Sequence, residues 1–385
     1  MRRSTHGRVG LAIIGAGYWG PNLVRNAATS EACDLRWVCD LDRSRAEHSV
    51  GRYSTIAVTD DVEDVLRDPL VRAVAVATPA HTHAEVALAC LEAGKHVLVE
   101  KPLAGSVAEG EKLVEVAADR GLVLMCDHTY CYTPVVEEIR RLVAEGHVGA
   151  IHYVDSVRIN LGLLQPDVDV FWDLAPHDLA ILDVILPAQS RPVAVSAQGA
   201  DPLGVGFACV GYLTLRLMGG GVAHTHVNWL SPSKVRTTII GGSERMVVWD
   251  DLNPSQRLTL YDKGVDLADP ASSDSVELRR ARTVSYRSGD LNAPSLPERE
   301  ALASVIAEFV GAITEERTPL TDGNAGLRVL RILEAASESL RRDGATIPLP
   351  TSGAGRAMAG PGPAGHPSPV PGGASLLHPL GVAPR

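Results

Sequence analysis

"VGLAIIGAGYWGPNLVRNA", residues 9–27, places three glycines in the spacing Gly15-x-Gly17-x-x-Gly20 between an apolar run and an amphipathic one. Val9–Ile14 reads as a fully buried strand, and the residues from Gly20 onward read as a helix. Gly15 permits a tight turn, Gly17 lets a phosphate approach the backbone, and Gly20 lets helix and strand pack closely. The helix N-terminus adds N–H donors and the positive end of a dipole. A glycine-rich turn without a ligand is the plain alternative, because this spacing alone is a weak signal. The context strengthens the dinucleotide reading, since Asp40 closes the next strand 20 residues past Gly20. An aspartate there accepts hydrogen bonds from ribose hydroxyls and repels a 2′-phosphate, so NAD is expected rather than NADP. Arg43 and Arg45 keep NADP open as the less favoured cofactor. Tyr18 and Trp19, inside the loop, are candidate cofactor contacts.

Outward from this loop, strand and helix alternate over the first 125 residues. Strands are expected at Val9–Ile14, Leu35–Asp40, Thr55–Val58, Ala73–Ala77, His96–Val99 and Leu122–Cys126. Gly94 ends one helix, and Ser106 with Glu109 forms a capping box that opens the next. Apolar strands alternating with helices imply a parallel, doubly wound sheet. Past residue 147 the pattern changes. Strands are expected at 150–160, 192–200, 207–217, 222–230, 234–241 and 244–250, punctuated by glycine turns. That is the pattern of a mostly antiparallel sheet. One helix interrupts it at about 172–186, and two more close the chain at 298–315 and 322–342. The fold class is therefore α/β. A Rossmann dinucleotide-binding domain spans 1–126, and an α/β domain with a large, mostly antiparallel open sheet spans 127–349. The Gly/Pro-rich stretch 350–385 is expected to be a disordered tail.

Composition narrows the function. A chain of 385 residues with 45% hydrophobic content supports two domains with full cores. A net charge of −10 argues against a nucleic-acid or anionic-membrane partner. No apolar run approaches the roughly 18 residues of a membrane span. Six cysteines show neither C-x-x-C nor metal-ligand spacing. They predict reduced, buried thiols, no metal site and a cytoplasmic location.

Two further stretches carry chemistry. "HVLVEKPLAG" (96–105) sets Glu100 and Lys101 at the end of a buried strand, in a chain with only five lysines. A charged amine there is costly unless a partner or substrate compensates it. Strand C-termini of a doubly wound sheet face the ligand crevice, which puts Lys101 beside a reacting group. The alternative is a surface pair with Glu100. "FWDLAPHDLAIL" (171–182) opens the helix of the second domain with Asp173 and His177 four residues apart. They share a helix face and can meet. A carboxylate beside an imidazole orients it and raises its basicity, which suits proton transfer. Alternatively, Asp173 caps the helix and His177 merely satisfies it.

The glycine loop, Glu100-Lys101-Pro102 and Asp173-x-x-x-His177 together resemble the glucose–fructose oxidoreductase/inositol dehydrogenase (Gfo/Idh/MocA) family, over about residues 8–345. "ATPAHTHAEVALACLEAGKHVLVEKPLA" (77–104) is similar to that family's most diagnostic block. The resemblance implies an NAD(P)-dependent enzyme acting on the hydroxyl of a sugar or cyclitol. It implies a second domain used for substrate binding and for homo-oligomerisation, as dimer or tetramer. It makes Lys101 the catalytic-site lysine and Asp173 and His177 the proton-transfer pair. It places Thr78, Pro79, His83 and Glu100 near the nicotinamide half of the cofactor. Two departures stand out. Val170-Phe171-Trp172 replaces glycines common in the family and is expected to reshape the pocket. "DHTYCYTP" (127–134), with His128, Tyr130 and Tyr132, replaces an Asn-x-Arg type segment.

At finer grain, "RINLGLLQPDVDVFWDLAPHDLAIL" (158–182), "VNWLSPSKVRTTIIGG" (227–242) and "PLTDGNAGLRVLRILEAASESL" (319–340) resemble the nucleotide-sugar 3-dehydrogenase branch. That implies oxidation at C3 of a UDP-hexose to a 3-keto sugar. An aminotransferase would then use the product in aminosugar or antibiotic biosynthesis. Arg158 and Asn160 are then expected at sugar hydroxyls, and Lys234 and Arg236 at phosphate. The plain alternatives are a strand-edge pair and solvated charges beside a turn. Two other functions stay open: a free cyclitol/hexose dehydrogenase or ketosugar reductase, and a non-catalytic dinucleotide-sensing regulator.

Overall fold

The computed structural model describes residues 8–350, apart from 54, 163, 166, 167 and 268–283. The expected tail therefore lies, but for Pro350, outside the described residues.

The glycine stretch folds as β1 (Val9–Ile14), buried throughout, followed by α1 (Gly20–Thr29). Then come β2 (Cys33–Cys39), α2 (Arg43–Val50), β3 (Ala57–Thr59), α3 (Val62–Arg67) and β4 (Ala73–Val76). The first sheet finishes with α4 (His83–Glu92), β5 (His96–Glu100), α5 (Val107–Asp119) and β6 (Leu124–Asp127). The helices are stopped and started by local chemistry: Asp42, Asp61 and Ser106 each accept a first-turn N–H at a helix N-cap. The six strands are parallel in the order β3-β2-β1-β4-β5-β6. The order reverses between β1 and β4, which opens a crevice at the strands' C-terminal edge.

After α6 (Pro134–Ala144) come β7 (Ile151–Leu161), α7 (Val170–Ile185), β8 (Pro192–Ala200), β9 (Val210–Leu217) and β10 (Val222–Asn228). Then follow β11 (Leu230–Gly242), β12 (Met246–Asp250), β13 (Leu258–Leu267) and β14 (Val284–Asn292). The described chain closes with α8 (Ala301–Thr314), α9 (Gly323–Arg341) and β15 (Ile347–Pro348). The second sheet has nine strands in the order β14-β13-β12-β11-β7-β10-β9-β8-β15. All its pairings are antiparallel except that of β10 with β7.

Helix α7 starts at Val170, two residues earlier than expected. Asp169 caps it, accepting the N–H groups of Phe171 and Trp172 at 3.0 Å each, so Asp173 is free of that duty. The bulky triplet packs inward. Val170 and Phe171 are buried in the core, and the Trp172 indole N–H donates to Ser337 Oγ on α9 at 3.0 Å. The Phe171 ring rests on a glycine pair: Gly199 and Gly211 face each other across β8 and β9. A Cβ on Gly211 would overlap the ring, and one on Gly199 would come within 3.2 Å of it. Burying such a side chain is worth about 1.5–3 kcal/mol and seats α7 on the sheet. Helix α9 joins both sheets. Just before it, Thr321 O accepts the Cys126 N–H of β6 at 2.8 Å, while Ser339 Oγ accepts the Ala197 N–H of β8 at 2.9 Å.

Candidate active site

Each expected loop lies at the C-terminal edge of the parallel sheet. Gly15 follows β1 with φ +99°, and a Cβ there would come 2.5 Å from the Ala77 carbonyl. A Cβ on Gly20 would overlap the Gly15 carbonyl oxygen, whereas Gly17 has nothing within 4 Å. Gly15 and Gly20 are therefore required by packing, and Gly17 leaves space for a ligand. Asp40, after β2, accepts the Ala16 N–H at 2.7 Å and the Asp42 N–H at 2.9 Å. A loop closed by a carboxylate, open at Gly17 and feeding the N-terminus of α1 fits a dinucleotide. Tyr18 is 92% exposed. Trp19 turns inward, with its indole N–H 3.4 Å from Asp127 Oδ2.

Thr78 and Pro79 form the loop after β4. His83 is buried behind that loop, its Nδ1 2.7 Å from Pro102 O and its Nε2 2.9 Å from Thr78 O. It thereby ties the loop after β4 to the loop after β5. Burial lowers its pKa.

Lys101 follows β5 and reaches across to α7 rather than to Glu100. Its Nζ donates to the Asp173 backbone carbonyl at 3.0 Å and lies 3.3 Å from Asp173 Oδ1. Both side chains keep 17% of their surface exposed, so the pair is sheltered yet accessible. The other oxygen, Asp173 Oδ2, accepts the Trp229 indole N–H at 3.0 Å. Glu100 instead faces its cross-strand neighbour Asp127. Burial and the Asp127 charge push the Glu100 carboxyl well above its usual range, and burial raises Asp127 too.

The expected meeting of Asp173 with His177 does not occur, because Lys101 and Trp229 take the carboxylate oxygens. His177 Nδ1 is buried without a hydrogen-bond partner among the described residues. Burial first, then the positive charges of Lys101 and Arg158, hold His177 well below its usual pKa. The imidazole is therefore neutral and its basicity lowered, not raised. Its ring meets the Tyr130 ring edge-on at 5.0 Å. Nearby His128 is also buried with both nitrogens unpartnered among the described residues, and burial lowers its pKa to about 4.

Arg158 has a different setting from the expected sugar contact. It is 5% exposed, with Nε 2.9 Å from Asp178 Oδ2 and Nη2 3.1 Å from Oδ1. Alternate residues of β7 face α7, so Ser156 joins the same carboxylate at 2.8 Å. The Arg158 guanidinium also lies 4.4 Å over the Tyr130 ring. Arg236 donates to Tyr130 Oη at 2.7 Å and sits 3.6 Å from Asp251. Asn160 is half-buried and Lys234 exposed, in the irregular stretch of β11, and neither side chain makes a hydrogen bond or ion pair among the described residues. Sequence reasoning missed Trp229 and the hub role of Tyr130. Both lie in stretches already singled out, 227–242 and 127–134, where an aromatic with a polar tip was the available signal.

No group of three metal-ligating side chains occurs among the described residues, and none of their helices is long and apolar enough to cross a membrane. All six cysteines are buried free thiols.

A profile of an oxidoreductase family with an NAD-binding Rossmann fold matches residues 9–128. The UDP-N-acetylglucosamine 3-dehydrogenase of Acidithiobacillus ferrooxidans is 30% identical over 330 residues, covering 84% of this chain and 94% of that enzyme. This chain belongs to the Gfo/Idh/MocA family. It is an oxidoreductase with an NAD-binding Rossmann domain, of the kind that acts on CH–OH groups. The solved structure of that 3-dehydrogenase, GnnA, superposes with a TM-score of 0.73 at 26% identity, covering 87% of this chain and 99% of GnnA. A levoglucosan dehydrogenase in complex with NADH and levoglucosan gives a TM-score of 0.74 over 90% of this chain and all of its own. At 20% identity that likeness concerns the fold alone.

Proposed function

We propose that this protein oxidises C3 of a UDP-hexose to a 3-keto sugar, with NAD as acceptor. The observation that carries the reading is the likeness to the 3-dehydrogenase over 94% of its length, joined to a lysine and a neutral imidazole at the crevice. Bound NAD would supply the hydride acceptor. The chain's own residues would do the rest. The Lys101 ammonium would lower the substrate hydroxyl's pKa and stabilise the oxygen as charge develops. Neutral His177 would accept the hydroxyl proton. Asp173 would hold Lys101 in place. Asp40 favours NAD over NADP.

Residues 127–349 would bind the sugar and support self-association as a dimer or tetramer. Lys234, exposed and without an ion-pair partner among the described residues, is the better of the two expected phosphate contacts; Arg236 is already held by Tyr130 and Asp251. Alcohol oxidation by NAD needs its product drawn off, and an aminotransferase acting on the 3-keto sugar suits that in aminosugar or antibiotic biosynthesis. Six buried free thiols suit the cytoplasm. The non-catalytic regulator is set aside by membership of an oxidoreductase family.

The test is a screen of UDP-sugars and free polyols that reads reduced-nicotinamide absorbance. A UDP-hexose should turn over, and Lys101→Met should lower kcat by on the order of 10²–10⁴ with NAD affinity nearly unchanged. Turnover of free myo-inositol or levoglucosan, with none on any UDP-sugar, would defeat the reading in favour of a cyclitol or hexose dehydrogenase.

A further inference from the structure

We propose that Trp229 is a positioning residue, whose indole N–H fixes the Asp173 carboxylate so that its second oxygen faces Lys101. The inference rests on the reading above of Lys101 and Asp173 as site groups, and it adds a residue outside that reading.

Trp229 sits between β10 and β11 and is 1% exposed. Its backbone is pinned on both sides: its N–H donates to Cys209 O at 3.1 Å, and its carbonyl accepts the Gly162 N–H at 2.9 Å. Phe207 packs edge-on against the ring at 6.2 Å between centroids. A Cβ on Gly162 would come 3.3 Å from the indole Cδ1, so the backbone there closes against the ring. The indole therefore has one orientation. Its nitrogen can only donate, and a buried donor needs an acceptor. The acceptor is Asp173 Oδ2 at 3.0 Å, a charge-assisted bond.

The geometric consequence lies at the carboxylate. The terminal torsion of an aspartate is broad and roughly two-fold, so the side chain alone does not fix the direction of its oxygens. Pinning Oδ2 to a rigid indole does. Oδ1 then stands 3.3 Å from Lys101 Nζ, while the Asp173 carbonyl, fixed by the first turn of α7, holds the same ammonium at 3.0 Å. Two groups of Asp173 on α7, one of them held by an indole from the β10–β11 junction, thus determine one lysine position. Without the indole N–H, the carboxylate would turn, and Lys101 would keep only the carbonyl as a fixed acceptor.

The bland alternative is a core tryptophan whose donor is satisfied by the nearest acid, with no effect on Lys101. A double-mutant cycle separates the two. Trp229→Phe keeps the packing ring and removes the donor. Site-specific 3-benzothienylalanine at 229 keeps the full bicyclic shape, replaces N–H by sulfur, and serves if the phenylalanine variant folds poorly. With NAD and UDP-N-acetylglucosamine, either change should lower kcat ~10–100-fold with the KM for NAD unchanged. In an Asp173→Asn background the same change should alter kcat by less than about threefold.

A second readout needs no turnover. Reductive methylation with formaldehyde and a borane, followed by peptide mass spectrometry, reports on each of the five lysines. Lys101 should be modified severalfold faster in the variants than in the wild type, and the other four lysines should not change. An equal loss of kcat in both backgrounds, or an unchanged Lys101 modification rate, would overturn the inference. If the wild type does not turn over UDP-N-acetylglucosamine, the methylation result decides alone. If Asp173→Asn itself leaves both readouts at wild-type values, the reading of Asp173 as a site residue has failed, and the inference fails with it.

Discussion

Replacing Arg158 by methionine should damage stability far more than substrate binding. The guanidinium and its partner Asp178 are 5% and 4% exposed, and they share two hydrogen bonds of 2.9 and 3.1 Å. Methionine would leave the Asp178 carboxylate buried, with the Ser156 hydroxyl as its side-chain partner. Stripping one member from a buried pair costs roughly 3–5 kcal/mol. Losing the cation 4.4 Å above the Tyr130 ring adds about 0.5–2 kcal/mol. Against a total stability of about 5–15 kcal/mol, that is roughly a quarter or more. At about 2–4 °C per kcal/mol for a domain of this class, the melting temperature should fall by roughly 7–28 °C. The double replacement Arg158→Met with Asp178→Leu should recover most of the loss, because an apolar pair often substitutes for a buried ion pair without penalty. Urea unfolding followed by circular dichroism measures all three proteins, with sugar KM measured on those that stay folded at assay temperature. A single mutant that melts like the wild type and raises only the sugar KM would refute this. It would restore Arg158 to the sugar-contacting role suggested by its sequence context.

The glycine loop yields a contrast. Gly20→Ala drives a Cβ into the Gly15 carbonyl oxygen, so both the melting temperature without NAD and the NAD affinity by calorimetry should fall. Gly17→Ala meets nothing within 4 Å, so NAD affinity should fall with no change in melting temperature, and a lower melting temperature would contradict the open cradle. Acid stability should track His128. Its pKa of about 4 lies below the unfolded value of about 6.5, so between these pH values the unfolded chain binds more protons. Stability should drop by up to about 3 kcal/mol as pH falls from about 6.5 to about 4 and add no further loss below that. His177 acts in the same direction. A His128→Phe variant with an equally steep acid limb would show that His128 is not the cause. Asp40→Ser should weaken NAD binding and strengthen NADP binding, and tighter wild-type binding of NADP than NAD would sink the cofactor preference.

What the sequence made legible was local. The turn after β1, the acid after β2 and the capping box at Ser106 each depend on a few adjacent residues, and each expectation names its own physics. Strand β8 was expected at its observed bounds, because apolar residues there run between clear breaks. The antiparallel pair β13 and β14 was not expected. It carries Asp262, Lys263 and Arg287 and two glycines, Gly264 and Gly289, and so lacks a clean apolar alternation. Helix α7 began early because the cap was Asp169, not the more conspicuous Asp173. The partners of Asp173 were out of reach for the same kind of reason. Helical spacing points to His177, while the groups that hold the carboxylate stand 72 and 56 residues away in sequence. They meet it only once α7 has docked. Arg158 was expected at the sugar, since nothing near it in sequence reveals that Asp178 would come down on it from α7.

The seat of Phe171 on Gly199 and Gly211 also governs how this enzyme could change its preference. Side chains at the crevice rim can be exchanged singly, each with a local effect. The glycine pair cannot, because enlarging either one pushes on the ring and, through it, on the whole of α7. Asp173 and His177 would then be displaced together, whatever the sugar. Mutant libraries aimed at new substrates should therefore retain these three residues nearly unchanged among their active members, although their work is to seat a helix and not to hold a sugar.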